Sequence, residues 1–181
     1  MPHKNKQPAT ERARRSRLIY QTTRVLAIDP GFGRCGVAIL NRENNTDTLV
    51  YSSCVVTRSS DSFPARLKTV TDAVTELADR FSPSLIALER LYLSTNQKTA
   101  MQVAEVRGAL ISLAVNRGIP MVEYTPLQVK IAITGYGKSG KREVARMISL
   151  LVSLPPKKGR LDDEYDAIAI ALTALASYRL K

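Results

Sequence analysis

Four acidic side chains carry the chemistry open to this chain. Asp29 follows the apolar run Val25-Leu26-Ala27-Ile28, Glu89 follows Leu85-Ile86-Ala87-Leu88, and Asp163 and Asp166 stand where an Ala- and Ile-rich segment begins. The single histidine, His3, lies in a polar tail, and both cysteines, Cys35 and Cys54, sit in apolar stretches where a thiol behaves as a small buried hydrophobe. Imidazole catalysis and a zinc centre are therefore excluded, and any acid–base or metal work falls to carboxylates. Asp163 and Asp166 are three residues apart, so a helix presents both on one face, and the first turn suits their charge. Four carboxylates brought together repel one another and retain at least one proton unless a cation joins them. Oxygen ligands alone favour Mg²⁺ or Mn²⁺. Two such ions about 3.5–4 Å apart can activate water and stabilise the leaving oxygen of a phosphodiester. Each acid also has an ordinary use: Asp29 in a Pro-Gly turn, Glu89 as a solvated strand end, Asp162 or Asp163 as a helix cap. Their joint placement favours a site.

The acids can share a site only if the elements before them are neighbours. Val25–Ile28 reads as a buried strand ending in the turn Asp29-Pro30-Gly31. A second run, Gly36 to Leu40, and a third segment, Thr48 to Thr57, flank the turn Asn44-Asn45-Thr46-Asp47, which predicts an antiparallel meander of three strands. Phe63, Leu67, Val70, Val74, Leu77 and Phe81 recur at helical spacing and predict a helix over 63–81, closed by Ser82-Pro83-Ser84. Leu85–Leu88 then adds a strand parallel to the first. Asn96 caps a long helix through Val103, Val106, Leu110 and Leu113 that stops near Gly118, and Met121–Tyr124 is a further strand. Thr125-Pro126 opens a helix closed by Gly135-Tyr136-Gly137, Ser139 opens the next, and the last runs from about Asp163 to Tyr178. The order βββαβαβααα predicts an α/β layer structure with a mixed five-stranded sheet flanked by helices. In it Asp29 and Glu89 leave parallel strands at one carboxyl edge, where open α/β sheets place ligands.

A chain of 181 residues accommodates one compact domain, here expected over 23–181. Twenty-seven Lys and Arg against sixteen Asp and Glu give a net charge of +11, which makes a polyanion such as nucleic acid the leading partner. Much of that surplus lies in residues 1–22, where Lys4, Lys6, Arg12, Arg14, Arg15 and Arg17 face only Glu11. The segment reads as a basic, disordered arm, through which Arg14, Arg15 and Arg17 grip phosphates, or as a solvated extension; an organellar presequence is a third reading. The sequence has no apolar stretch near the roughly 20 residues of a membrane span and no secretory signal core, so a reducing cytoplasm is expected.

In Ile28-Asp29-Pro30-Gly31, Ala87-Leu88-Glu89, Asn96 with Ala100 and Val106-Arg107-Gly108, Gln128-Val129-Lys130, and the run from Asp163 to Ala171, the chain resembles the RuvC family of Holliday-junction resolvases, with the signatures in the family's order. The resemblance spans about residues 24–177 and implies a ribonuclease H-like, metal-dependent endodeoxyribonuclease that resolves four-way DNA junctions by paired nicks. It implies that Asp29, Glu89, Asp163 and Asp166 are the metal-binding catalytic carboxylates, holding two Mg²⁺ ions per active site with Mn²⁺ able to substitute. Lys130 and Lys141 fall where the family has lysines close to the junction backbone. Tyr92 occupies a place where relatives usually carry Phe, an aromatic near the junction point, and tyrosine can still stack on a base. A homodimer is implied, since two-fold symmetry lets one enzyme nick two equivalent strands. The helix from Asn96 to Asn116 is the expected interface, and a branch-migration motor is a further implied partner. Arg34-Cys35-Gly36-Val37 departs from the Thr-Gly pair of many relatives, a difference expected to bear on local packing and not on the acids.

Two other readings compete. Asp29-Pro30-Gly31 before Gly33 and Gly36 also resembles the phosphate loop of actin-like ATPases and sugar kinases, for which this chain is too short. The non-enzyme alternative is a junction-binding protein with structural carboxylates.

Overall fold

A computed structural model describes residues 22–90, 97–157 and 159–178. Its strands are β1 (Thr23–Asp29), β2 (Arg34–Glu43), β3 (Thr46–Val56), β4 (Leu85–Glu89) and β5 (Met121–Tyr124). Its helices are α1 (Phe63–Phe81), α2 (Gln97–Asn116), α3 (Pro126–Thr134), α4 (Lys141–Leu151) and α5 (Asp162–Ser177). The five strands form one sheet in the order β3-β2-β1-β4-β5. β1, β2 and β3 are the antiparallel meander and β4 lies parallel to β1, as the sequence predicts, while β5, for which the sequence shows no orientation, lies parallel to β4.

The hairpin between β2 and β3 is tighter than the sequence suggests. Asn44 and Asn45 adopt φ values of 52° and 62°, and Glu43 pairs with Thr46 across them. Asparagine tolerates that left-handed conformation, so a two-residue turn suffices and both strands extend toward it. α3 is capped reciprocally by Thr125 and Gln128, with Pro126 in its first turn and Gly135 at φ 76° beyond its end. α4 begins at Lys141 behind Gly140, and not at Ser139 as the sequence suggests. Ser139 is instead buried, its hydroxyl bonded to that of Thr134 at 2.9 Å, which ties the α3–α4 turn together. The Asn96 cap expected for α2 and the arm at 1–21 lie outside the described residues.

Strand alternation sorts the core onto two faces. Val25, Ala27, Leu85 and Ala87 face α3, α4 and α5, while Leu26, Ile28, Ile86 and Leu88 face α1 and α2. Small side chains, Ala27, Ala38 and Ala87 on the sheet with Ala167, Ala171 and Ala174 on α5, let that helix lie close to the strands. α5 is buried without interruption from Ala167 to Leu175, a helix enclosed between the sheet and its neighbours. Its first turn is thereby held at the carboxyl edge of β1. Among the described residues no helix is long and apolar enough to cross a membrane.

Candidate active site

The same alternation that sorts the core also aims the acids. Asp29 is two residues beyond Ala27 and Glu89 two beyond Ala87, so both emerge on the α5 face of the sheet. They stand one position past the last registered pair of the parallel ladder, Ile28 with Leu88, and are therefore side by side. Asp29 pairs with Gly36 across the antiparallel ladder, and this glycine decides how near α5 comes. A Cβ on Gly36 would stand 1.8 Å from the carbonyl oxygen of Asp163, so only a bare α-carbon lets the first turn of α5 rest on β2. Gly31 plays the same part in the turn behind Asp29, where a Cβ would lie 2.1 Å from the carbonyl oxygen of Arg34.

Glu89 and Asp166 line one concavity of about 210 Å³ together with Lys130 and Lys141, over an apolar wall that includes Val129. Asp29 and Asp163 lie outside its lining. As the side chains stand, no three His, Cys, Asp or Glu groups among the described residues close on a single point as ligands of one ion. The electrostatics nevertheless join them. Asp29 retains some solvent contact, yet desolvation raises its pKa well above the usual aspartate value, with Glu89, Asp166 and Asp163 adding to the rise and Lys141 opposing it. Glu89 is pushed from 4.5 up to about 7, first by burial and then by Asp166, against Lys141 and Lys130. Asp166 is also raised by burial, with Lys141 acting against the change and Asp163 and Asp162 reinforcing it. Lys141 resists the burial that opposes its charge because Asp166 and Asp162 favour it, and its Nζ stands 3.3 Å from Asp162 and 3.7 Å from Asp166.

Arg34 and Asp163 form a contact that the sequence concealed. The Nε of Arg34 lies 3.2 Å from Oδ2 of Asp163, within ion-pair reach but without hydrogen-bond geometry, and Oδ2 is buried with no hydrogen-bond partner. The segment Arg34-Cys35-Gly36-Val37 thus bears on an acid directly, through Arg34 and through Gly36, contrary to the expectation that it affects packing alone. Glu164, also unassigned by sequence, is only 1% exposed. It accepts hydrogen bonds from Ser52 Oγ at 2.6 Å, Lys157 Nζ at 2.9 Å and Arg160 at 3.0 Å, which pins the first turn of α5 to β3 and to the segment before the helix. A Glu preceded by three basic residues within seven positions is the only signal the sequence carries for this network. Neither Asp162 nor Asp163 caps α5, since the cap position is Leu161 and no side chain closes it. Tyr92, Arg14, Arg15 and Arg17 lie outside the described residues.

The chain that carries these acids has relatives. A family model described as crossover junction endodeoxyribonuclease RuvC matches residues 25–174. The chain belongs to the RuvC family. As a member it is a crossover junction endodeoxyribonuclease, and its sheet and helices are the family's ribonuclease H-like fold. The RuvC of Leifsonia xyli is 40% identical over 154 residues, covering 83% of this chain and 73% of the relative. The RuvC of Pelobacter propionicus is 38% identical over 157 residues, covering 87% and 88%. A solved structure of Thermus thermophilus RuvC in complex with Holliday junction substrate superposes with a TM-score of 0.78 at 30% identity, over 84% of this chain and 93% of that one. The yeast mitochondrial Holliday junction resolvase shares the fold, with a TM-score of 0.62 at 19% identity over 93% of this chain and 85% of that one.

Proposed function

We propose that this chain resolves four-way DNA junctions by paired symmetric nicks, with Asp29, Glu89, Asp163 and Asp166 as the catalytic carboxylates that hold two Mg²⁺ ions, Mn²⁺ being able to substitute. The observation that carries the reading is the meeting of Asp29 and Glu89, on adjacent strand ends, with the first turn of α5. The donor set suits a hard cation: it consists of carboxylate oxygens, three of the acids are pushed toward the protonated state by burial and mutual repulsion, and Oδ2 of Asp163 is buried without a hydrogen-bond partner. When held there, a pair of divalent ions supplies Lewis acidity to the phosphoryl oxygens and a lowered pKa to the attacking water.

The chain's own groups do the rest. Asp29 and Glu89 keep their spacing through the strand ladder, so that half of the site is held in place before DNA arrives. Lys141 and Lys130 place positive charge beside Glu89 and Asp166 and reduce the repulsion an incoming phosphate meets. Tyr92 and the arginines of the arm, Arg14, Arg15 and Arg17, are proposed DNA contacts on resemblance and charge, with 1–22 as an arm and 23–181 as the nuclease domain. Two sites related by a two-fold axis would cut equivalent strands, and exposed Met101 and Val115 on α2 support that helix as the face of a homodimer. A branch-migration motor is the further partner that membership suggests. A reducing, cytoplasmic setting accords with Cys35 and Cys54, both free thiols.

The test uses a synthetic four-way junction, a linear duplex and an RNA–DNA hybrid, each with and without Mg²⁺. Paired nicks confined to the junction are expected, and Asp29→Asn or Glu89→Gln should lower cleavage at least about a hundredfold while binding persists. Tight junction binding with no cleavage under any divalent ion would leave a binding module with structural carboxylates.

A further inference from the structure

We propose that Arg34 competes with the divalent cation for Asp163, so that metal and DNA bind this chain cooperatively. The inference rests on reading Asp163 as a cation ligand. Arg34 is the first residue of β2, two positions before the glycine on which α5 rests, and this places its guanidinium against the first turn of that helix. The contact sets a positive charge beside Asp163 without a directed bond, because the 3.2 Å approach lacks hydrogen-bond geometry and leaves Oδ2 unpartnered. The guanidinium makes no hydrogen bond among the described residues, and the Arg34 side chain is 57% exposed. It is a cation resting beside a carboxylate and free to turn outward.

A dication on Asp163 and a guanidinium at 3.2 Å from the same oxygen repel each other, so each occupant weakens the other. Once turned outward, Arg34 meets water unless an anion is present, and a DNA phosphate drawn to the site is such an anion. Phosphate that engages Arg34 frees Asp163 for the ion, and an ion on Asp163 releases Arg34 for phosphate. Linkage then requires the two affinities to rise by the same factor. The metal is held weakly until a substrate strand arrives, which limits idle hydrolytic capacity in the DNA-free enzyme.

The test measures Mn²⁺ binding to the full chain through the electron paramagnetic resonance signal of the free ion. Wild type, Arg34→Gln, Arg34→Lys and Asp163→Asn are compared with and without a cleavage-resistant four-way junction, after subtraction of the ions that DNA alone retains. Without DNA, Arg34→Gln should bind Mn²⁺ roughly tenfold more tightly than wild type, the effect of one unit charge on a dication across a few ångströms of water-like medium. Arg34→Lys, which keeps the charge, should stay near wild type. The junction should tighten Mn²⁺ binding to wild type several-fold and to Arg34→Gln far less. Equal or weaker Mn²⁺ binding by Arg34→Gln, or equal tightening of both proteins by DNA, overturns the inference. If Asp163→Asn leaves Mn²⁺ binding unchanged, the carboxylate reading itself fails. If Asp163→Asn weakens binding and Arg34→Gln changes nothing, only the role of Arg34 fails.

Discussion

Glu89, raised from 4.5 to about 7, carries a proton over much of the weakly acidic range when no cation is present. Folding therefore favours its protonated form. The stability this contributes is complete below about pH 4.5 and is lost as pH rises toward 7, since the folded state binds more protons than the unfolded one across that window. At about 1.4 kcal/mol per pKa unit the effect approaches about 3 kcal/mol. Glu89→Gln should accordingly raise the metal-free melting temperature by about 6–12 °C at pH 8 and leave it nearly unchanged at pH 4.5, and added Mg²⁺ should stabilise wild type much more than the variant. A pH-independent difference between the two in thermal melts would contradict this account. Asp29 and Glu89 were legible as a pair because each ends an apolar run, and the strand period fixes the face to which each points. The ion pair of Arg34 with Asp163 was not, because it joins residues more than a hundred positions apart and depends on a helix crossing that local pattern does not encode.

Among the elements, α5 is the one whose placement depends on a single atom. A methyl group at Gly36 would strike the backbone of Asp163, which cannot rotate away as a side chain can. Gly36→Ala should cost about 3 kcal/mol and displace Asp163 and Asp166 from Asp29, so urea unfolding and junction cleavage should both suffer. Glu164 anchors the same turn from the other side. Its removal in Glu164→Ala leaves the largely buried Arg160 without its charge partner, and a loss of about 3–5 kcal/mol in denaturant midpoints is expected. Replacing Ser52, which donates to the same carboxylate, should be non-additive with that change in a double-mutant cycle. The sequence showed where α5 lies and that it is buried, from its run of Ala and Ile. It did not show that Gly140, and not Ser139, precedes α4, because the hydroxyl of Ser139 is committed to Thr134 through a contact across the turn.

For the whole molecule, a net charge of +11 predicts strongly salt-dependent DNA binding, with log affinity falling at about −0.9 per phosphate neutralised. Removing residues 1–22 should make that slope shallower, and an unchanged slope would assign the arm to another task. Exposed Met101 and Val115 on α2 predict that Met101→Glu with Val115→Glu shifts sedimentation toward a monomer and replaces paired nicks by single ones. The layered architecture was readable from the alternation of strand and helix signals, whereas charge and composition alone could not say which surface meets a partner. The shared parallel ladder of β1 and β4 has a mechanical corollary. One half of the acidic constellation rides on a ladder of backbone hydrogen bonds, the other on a helix end fastened by side chains: heat should expose the amides at the start of α5 before those of Ile28 and Leu88, and hydrogen exchange will register that asymmetry as earlier loss of protection on one side of the vise.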